Sequence, residues 1–149
     1  TIHAGEAGNA EDVKTAVHMG AVRIGHGVKI AGNKEVIQLV KDKGIFLEMC
    51  PTSNRQTKAV EEMSAYPLKA FLEMGLKVTL NTDDPAIERT TLSREFRYME
   101  SLLNLTQEQK RLLLLNSVEA AFTSRNRKWK LSHKKRRTTF IEGGNSIDD

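Results

Sequence analysis

An α/β fold built on a parallel sheet is what this sequence predicts, on three observations. Four short apolar or β-branched runs recur at spacings of roughly 20 to 30 residues, the rhythm of strand–helix units. Helix-like segments with caps and stops separate them. Each run ends in a polar cluster, and in parallel α/β folds, barrels especially, that edge of the sheet is where ligands bind.

The first run, Thr1-Ile2-His3, ends at Gly5-Glu6. Asn9 is placed to cap a helix over residues 10–19. Glu11 and Asp12 fall in its first turn, where acids suit the helix dipole, and Gly20 stops it. The second strand, residues 21–24, ends in Gly25-His26-Gly27. Asn33 caps a helix over 34–43, with Val36, Ile37, Leu39 and Val40 as its apolar face and Gly44 as its stop. The third strand, 45–50, ends in Pro51-Thr52-Ser53-Asn54, and no strong helical pattern appears before Pro67. A helix over 67–74 follows, with proline at a favourable first position. The fourth strand, 77–80, runs into Asn81-Thr82-Asp83-Asp84-Pro85. Beyond it the pattern is helical. Residues 92–103 are amphipathic, and Thr106 with Gln109 reads as a capping box opening a helix to about residue 122.

The chain has 149 residues with 39% hydrophobic and 28% charged content, which suits one globular domain. No apolar run is long enough to cross a membrane, so no membrane partner is expected. Cys50 is the single cysteine and cannot form an internal disulfide; with no signal-peptide pattern in the first residues, the expected setting is reducing and cytoplasmic. The net charge of +4 is unevenly placed. Residues 1–124 carry 15 Lys and Arg against 16 Asp and Glu, whereas residues 125–149 carry 8 against 3. The division expected is therefore a folded body over 1–124 and a basic, disordered extension over 125–149. Within that extension Trp129 could stack on a nucleic-acid base. A solvated tail is the favoured reading.

Four strand ends offer His3 and Glu6, His26, Ser53 and Asn54, and Asp83 and Asp84. Singly, each has an ordinary explanation: a polar strand end, a turn between glycines, a loop hydrogen bond, a turn cap before proline. Together, imidazole and carboxylate form part of a zinc ligand set, and a carboxyl beside the metal can act as an acid.

The motifs HAGE (3–6), RIGHG (23–27), CPTSN (50–54) and NTDDP (81–85), in this order and spacing, closely resemble those of the adenosine deaminase family. The resemblance covers residues 1–122. It implies that the four units are the C-terminal half of a TIM (β/α)8 barrel, equivalent to its strands five to eight. It implies a Zn2+ cofactor held by His3 and Asp83, and a purine nucleoside substrate. Glu6 would give a proton to purine N1. His26 would orient the attacking hydroxide and accept its proton. Asp84 would hydrogen-bond N7, and Gly5 would bring backbone close to the base. The implied reaction is hydrolytic deamination of adenosine to inosine.

One motif of the family has no counterpart here. Its further zinc ligands lie in a His-x-His pair, and the histidines of this chain, His3, His18, His26 and His133, include no two that are two apart. A catalytic zinc takes about three protein ligands, and a barrel of this type takes about 250 residues. With the non-Met start, the expectation is a carboxy-terminal fragment, inactive alone, whose partner is the missing N-terminal half-barrel. Such a fragment would expose strand edges and an apolar inner layer. Two rivals stand beside this reading: an adenine or related aminopurine deaminase, and a non-catalytic chain whose basic tail binds nucleic acid.

Overall fold

The computed structural model describes residues 1–133. Four parallel strands form one sheet in sequence order: β1 (Ile2–Ala4), β2 (Arg23–His26), β3 (Phe46–Met49) and β4 (Lys77–Leu80). Helices α1 (Ala10–His18), α2 (Lys34–Asp42) and α4 (Leu68–Glu73) lie on the crossovers. A short helix, α3 (Pro51–Gln56), leaves β3 directly. After β4 come α5 (Leu92–Leu103), α6 (Gln107–Ala120) and α7 (Arg125–Ser132). This is a partial barrel: consecutive parallel strands, each returning through helical connections, with no antiparallel member among the described residues.

The local signals act as their chemistry requires. Asn9 accepts from the Glu11 amide, and Asp12 returns a bond to the Asn9 amide at 2.8 Å, closing a capping box. Asn33 caps α2 through the Val36 amide at 3.0 Å. Thr106 and Gln109 exchange bonds at 3.1 and 2.9 Å at the start of α6.

Strand register decides which side chains reach the site. Ile2, Ile24, Leu47 and Val78 stand in one row across the sheet. The last three are fully buried, each worth about 1.5–3 kcal/mol relative to exposure. The next row, His3, Gly25, Glu48 and Thr79, lies on the opposite face. That inner face sets Phe46 among polar and charged residues, where an apolar layer was expected. Arg23 pairs there with Glu48 at 3.2 Å, and Lys77 lies over the Phe46 ring at 4.8 Å.

Two further expectations need correction. Residues 51–56 are helical rather than loop. The disordered extension expected from residue 125 gives way, over Arg125–Ser132, to α7. Its start is capped by Ser124 Oγ, accepting from the Arg127 amide at 3.3 Å, and Lys128 Nζ donates to the Glu119 carbonyl at 2.5 Å, tying α7 to α6. The rest of the basic segment lies outside the described residues. Among the described residues no helix is long and apolar enough to cross a membrane.

Cys50 follows β3 directly and is 5% exposed. Burial, and then the negative charge of Asp83, push its thiol far above the ordinary range. Thiolate is the reactive form. Ellman's reagent is therefore expected to leave the folded protein unlabelled and to titrate one thiol in denaturant; prompt labelling under native conditions would contradict this packing.

Candidate active site

The site forms at the carboxyl edge of the sheet. His3 projects from β1 over Gly25, where an added Cβ would meet the imidazole at 3.3 Å; the glycine leaves room for the ring. His26 ends β2 with φ at 68°, and Asp83 follows β4 with φ at 62°. Left-handed backbone at non-glycine residues costs on the order of 1–3 kcal/mol and gathers at functional sites. Here it departs from strand alternation at the two residues that turn toward the cluster.

Donor atoms of His3, His26 and Asp83 all lie within 4.8 Å of one another. The two imidazole rings are tilted at 49° with centroids 5.2 Å apart. His26 Nε2 lies 3.3 Å from Glu6 Oε2 and 3.9 Å from Asp83 Oδ2. Burial lowers the His26 pKa, an effect only partly offset by the charges of Glu6 and Asp83. Burial disfavours the charged ring, so these contacts act as a hydrogen-bonding cluster more than as ion pairs.

Residues 51–57 supply the surrounding shell. Ser53 Oγ donates to Asp83 Oδ2 at 2.8 Å, and Asn54 Nδ2 lies 2.9 Å from His26 Nδ1. Thr57 Oγ1 donates to Glu6 Oε1 at 3.2 Å. Sequence reading singled out Ser53 and Asn54 only as loop or substrate contacts, and it missed Thr57. The one available signal was their position just after a strand end.

Asp84 and Gly5 stand apart from the cluster. Asp84 Oδ1 accepts from the amides of Ala86 and Ile87, both at 3.2 Å, so this acid caps its own turn. Gly5 is buried with φ at 67°, and an added Cβ would meet Val13 at 2.6 Å. Packing alone therefore calls for glycine there. His18 lies in the last turn of α1 with its ring on the surface.

Imidazole and carboxylate converging at the carboxyl ends of parallel strands define the kind of site that barrel hydrolases carry. The chain belongs to the adenosine deaminase family, whose sequence profile matches residues 1–136. That match runs past residue 122 and takes in the described α7. Adenosine deaminase of Clostridium botulinum is 48% identical over 125 residues, 83% of this chain and 37% of that relative. Among solved structures, adenine deaminase from Arthrobacter aurescens superposes with a TM-score of 0.84 at 32% identity, covering 88% of this chain and 41% of that one. An amidohydrolase from Burkholderia ambifaria with bound zinc superposes at 0.76 with 26% identity, over 85% of this chain and 36% of that one. The chain thus spans about two fifths of the length of these relatives.

Proposed function

We propose that this chain forms the C-terminal half of a zinc-dependent purine deaminase acting on adenosine. The observation that carries the reading is the convergence of His3, Glu6, His26 and Asp83 from three strand ends. The donor set fits part of a zinc site: His3 offers an exposed imidazole and Asp83 a carboxylate, and further ligands would come from the remainder of the barrel. When bound, zinc would supply a Lewis acid that brings the pKa of water toward ~7.

Glu6, in its acid form, hands a proton to purine N1 and so draws electron density away from C6. His26 orients the water that attacks C6. The bond from C6 to the amino group breaks; one water proton passes to the amino group, which leaves as ammonia, the other restores the acid form of Glu6, and the purine keeps the water oxygen as a carbonyl. Ser53 holds the Asp83 carboxylate in place, and Thr57 holds that of Glu6. Asp84 is assigned to purine N7, which accepts a proton shared by the Asp84 oxygen that does not cap its turn. Gly5 lets the chain pass beside the base.

The test is complementation. The chain is co-expressed with the part of the C. botulinum enzyme that it does not match, loaded with zinc, and assayed for conversion of adenosine to inosine. A folded, zinc-loaded assembly without turnover of any aminopurine would defeat the proposal. The likeness to an adenine deaminase favours a second substrate, and the ratio of adenine to adenosine turnover decides between them. Stacking of nucleic acid on Trp129 is less favoured, because His133 covers one face of the indole at 4.6 Å between centroids.

A further inference from the structure

Behind the cluster, three buried side chains form a line. The Tyr66 hydroxyl donates to Asn54 Oδ1 at 2.8 Å, and Asn54 Nδ2 lies 2.9 Å from His26 Nδ1. Tyr66, Asn54 and His26 are 2%, 0% and 1% exposed, so water cannot readily replace a missing partner. An amide can sit either way round, and the partners decide which. With Oδ1 toward Tyr66, the phenol proton, the amide and the Nδ1 lone pair are all matched. Turned over, the amide would donate to the phenol oxygen. The phenol proton would then have no recorded acceptor among the described residues, which buried groups avoid.

From this we infer that Tyr66 and Asn54 lock neutral His26 with its proton on Nε2, so that the ring meets the reacting centre as a hydrogen-bond donor and not as a proton acceptor. The tautomer follows from the hydrogen bonds alone; its catalytic meaning rests on the purine deaminase reading. Nδ1 is taken by the Asn54 amide, and Nε2 carries a hydrogen toward Glu6. Neither nitrogen then offers a lone pair to a metal. This separates His26 from His3, although the donor atoms of both fall in the same 4.8 Å cluster. It also changes the role that the family resemblance implies for His26: the ring holds an oxygen by donating to it, and an acceptor for the water proton must be sought among the carboxylates. Asn54 and Tyr66 are positioning residues, acting through His26.

The test is a two-bond proton–nitrogen correlation spectrum of the 149-residue chain with 15N-labelled histidine, at neutral pH. The His26 signals are assigned by their loss in His26→Gln. The expected result is a protonated-type shift at Nε2 and an unprotonated-type shift at Nδ1. Asn54→Asp offers Nδ1 only an acceptor, so the Nδ1 signal is expected to move to a protonated-type shift. In Tyr66→Phe the amide is free to turn, and the shifts should move toward their mean. A native spectrum with the proton on Nδ1, or with the averaged pattern of an unconstrained imidazole, overturns the inference whatever the variants do. In the complemented enzyme, Asn54→Asp should lower kcat by about tenfold or more with KM little changed. Native Nε2 protonation in an assembly without deaminase activity would sink the functional proposal and leave the tautomer standing. Activity with Nδ1 protonated would do the reverse.

Discussion

Glu6→Gln in the complemented enzyme is expected to lower kcat for adenosine by about 10²–10⁴-fold, the usual contribution of a positioned general acid. Glutamine keeps the length and shape of the side chain. It can still meet Thr57 and His26, the groups that touch the two Glu6 oxygens at 3.2 and 3.3 Å. What it loses is the acidic proton. KM should change little, because proton donation to N1 matters in the transition state more than in the bound ground state. Zinc content should also hold, since Glu6 is not among the residues whose donor atoms form the 4.8 Å cluster. Steady-state kinetics with metal analysis on the same preparation checks all three points. A kcat within about threefold of the parent, with zinc retained, would remove Glu6 from the proton path and return it to an ordinary polar strand end.

Local chemistry explains why much of the architecture can be read from the chain and why one part resists. Asn9, Asn33 and Thr106 act on backbone within three residues, so their signals are complete in sequence. The β4 run of Lys77–Leu80 is bounded by polar residues and Gly75, and its limits agree with the structure. The stretch from Pro51 to Gln56 differs. Threonine, serine and asparagine favour caps and turns over helix interiors, so local preference argues against α3. Contacts made far along the chain hold it instead. Thr52 binds Glu95, Ser53 binds Asp83, and Asn54 binds His26. Sequence separations of 28 to 43 residues leave no periodic trace. The same limit applies within the site. The motifs identify His3, Glu6, His26 and Asp83 by family resemblance, but which of the two adjacent acids caps the turn, and the lock behind His26, come only from three-dimensional contacts.

Glu95 carries the second large expectation, one of stability. It lies in the first turn of α5 and is 1% exposed. Its carboxylate accepts from the Thr52 amide at 3.1 Å, from the Thr52 hydroxyl, and from the Thr90 hydroxyl at 2.5 Å. No cation pairs with it among the described residues; the helix dipole and three neutral donors compensate the buried charge. Glu95→Ala leaves those donors without a partner and opens a cavity. Each buried unmet donor costs about 1–3 kcal/mol, and partial relaxation places the whole near ~3–5 kcal/mol. In urea unfolding of the complemented enzyme this should appear as a lower midpoint at an unchanged slope. Glu95→Gln keeps an oxygen for the two hydroxyls but turns an amino group toward the Thr52 amide, so its loss should be about half as large. Combining Glu95→Ala with Thr52→Val and Thr90→Val removes donors together with the acceptor, and the triple variant should be more stable than the summed single effects predict. Strict additivity would show that these bonds carry little energy. Glu95 would then be a bystander to the placing of α3, whose Ser53 and Asn54 reach Asp83 and His26.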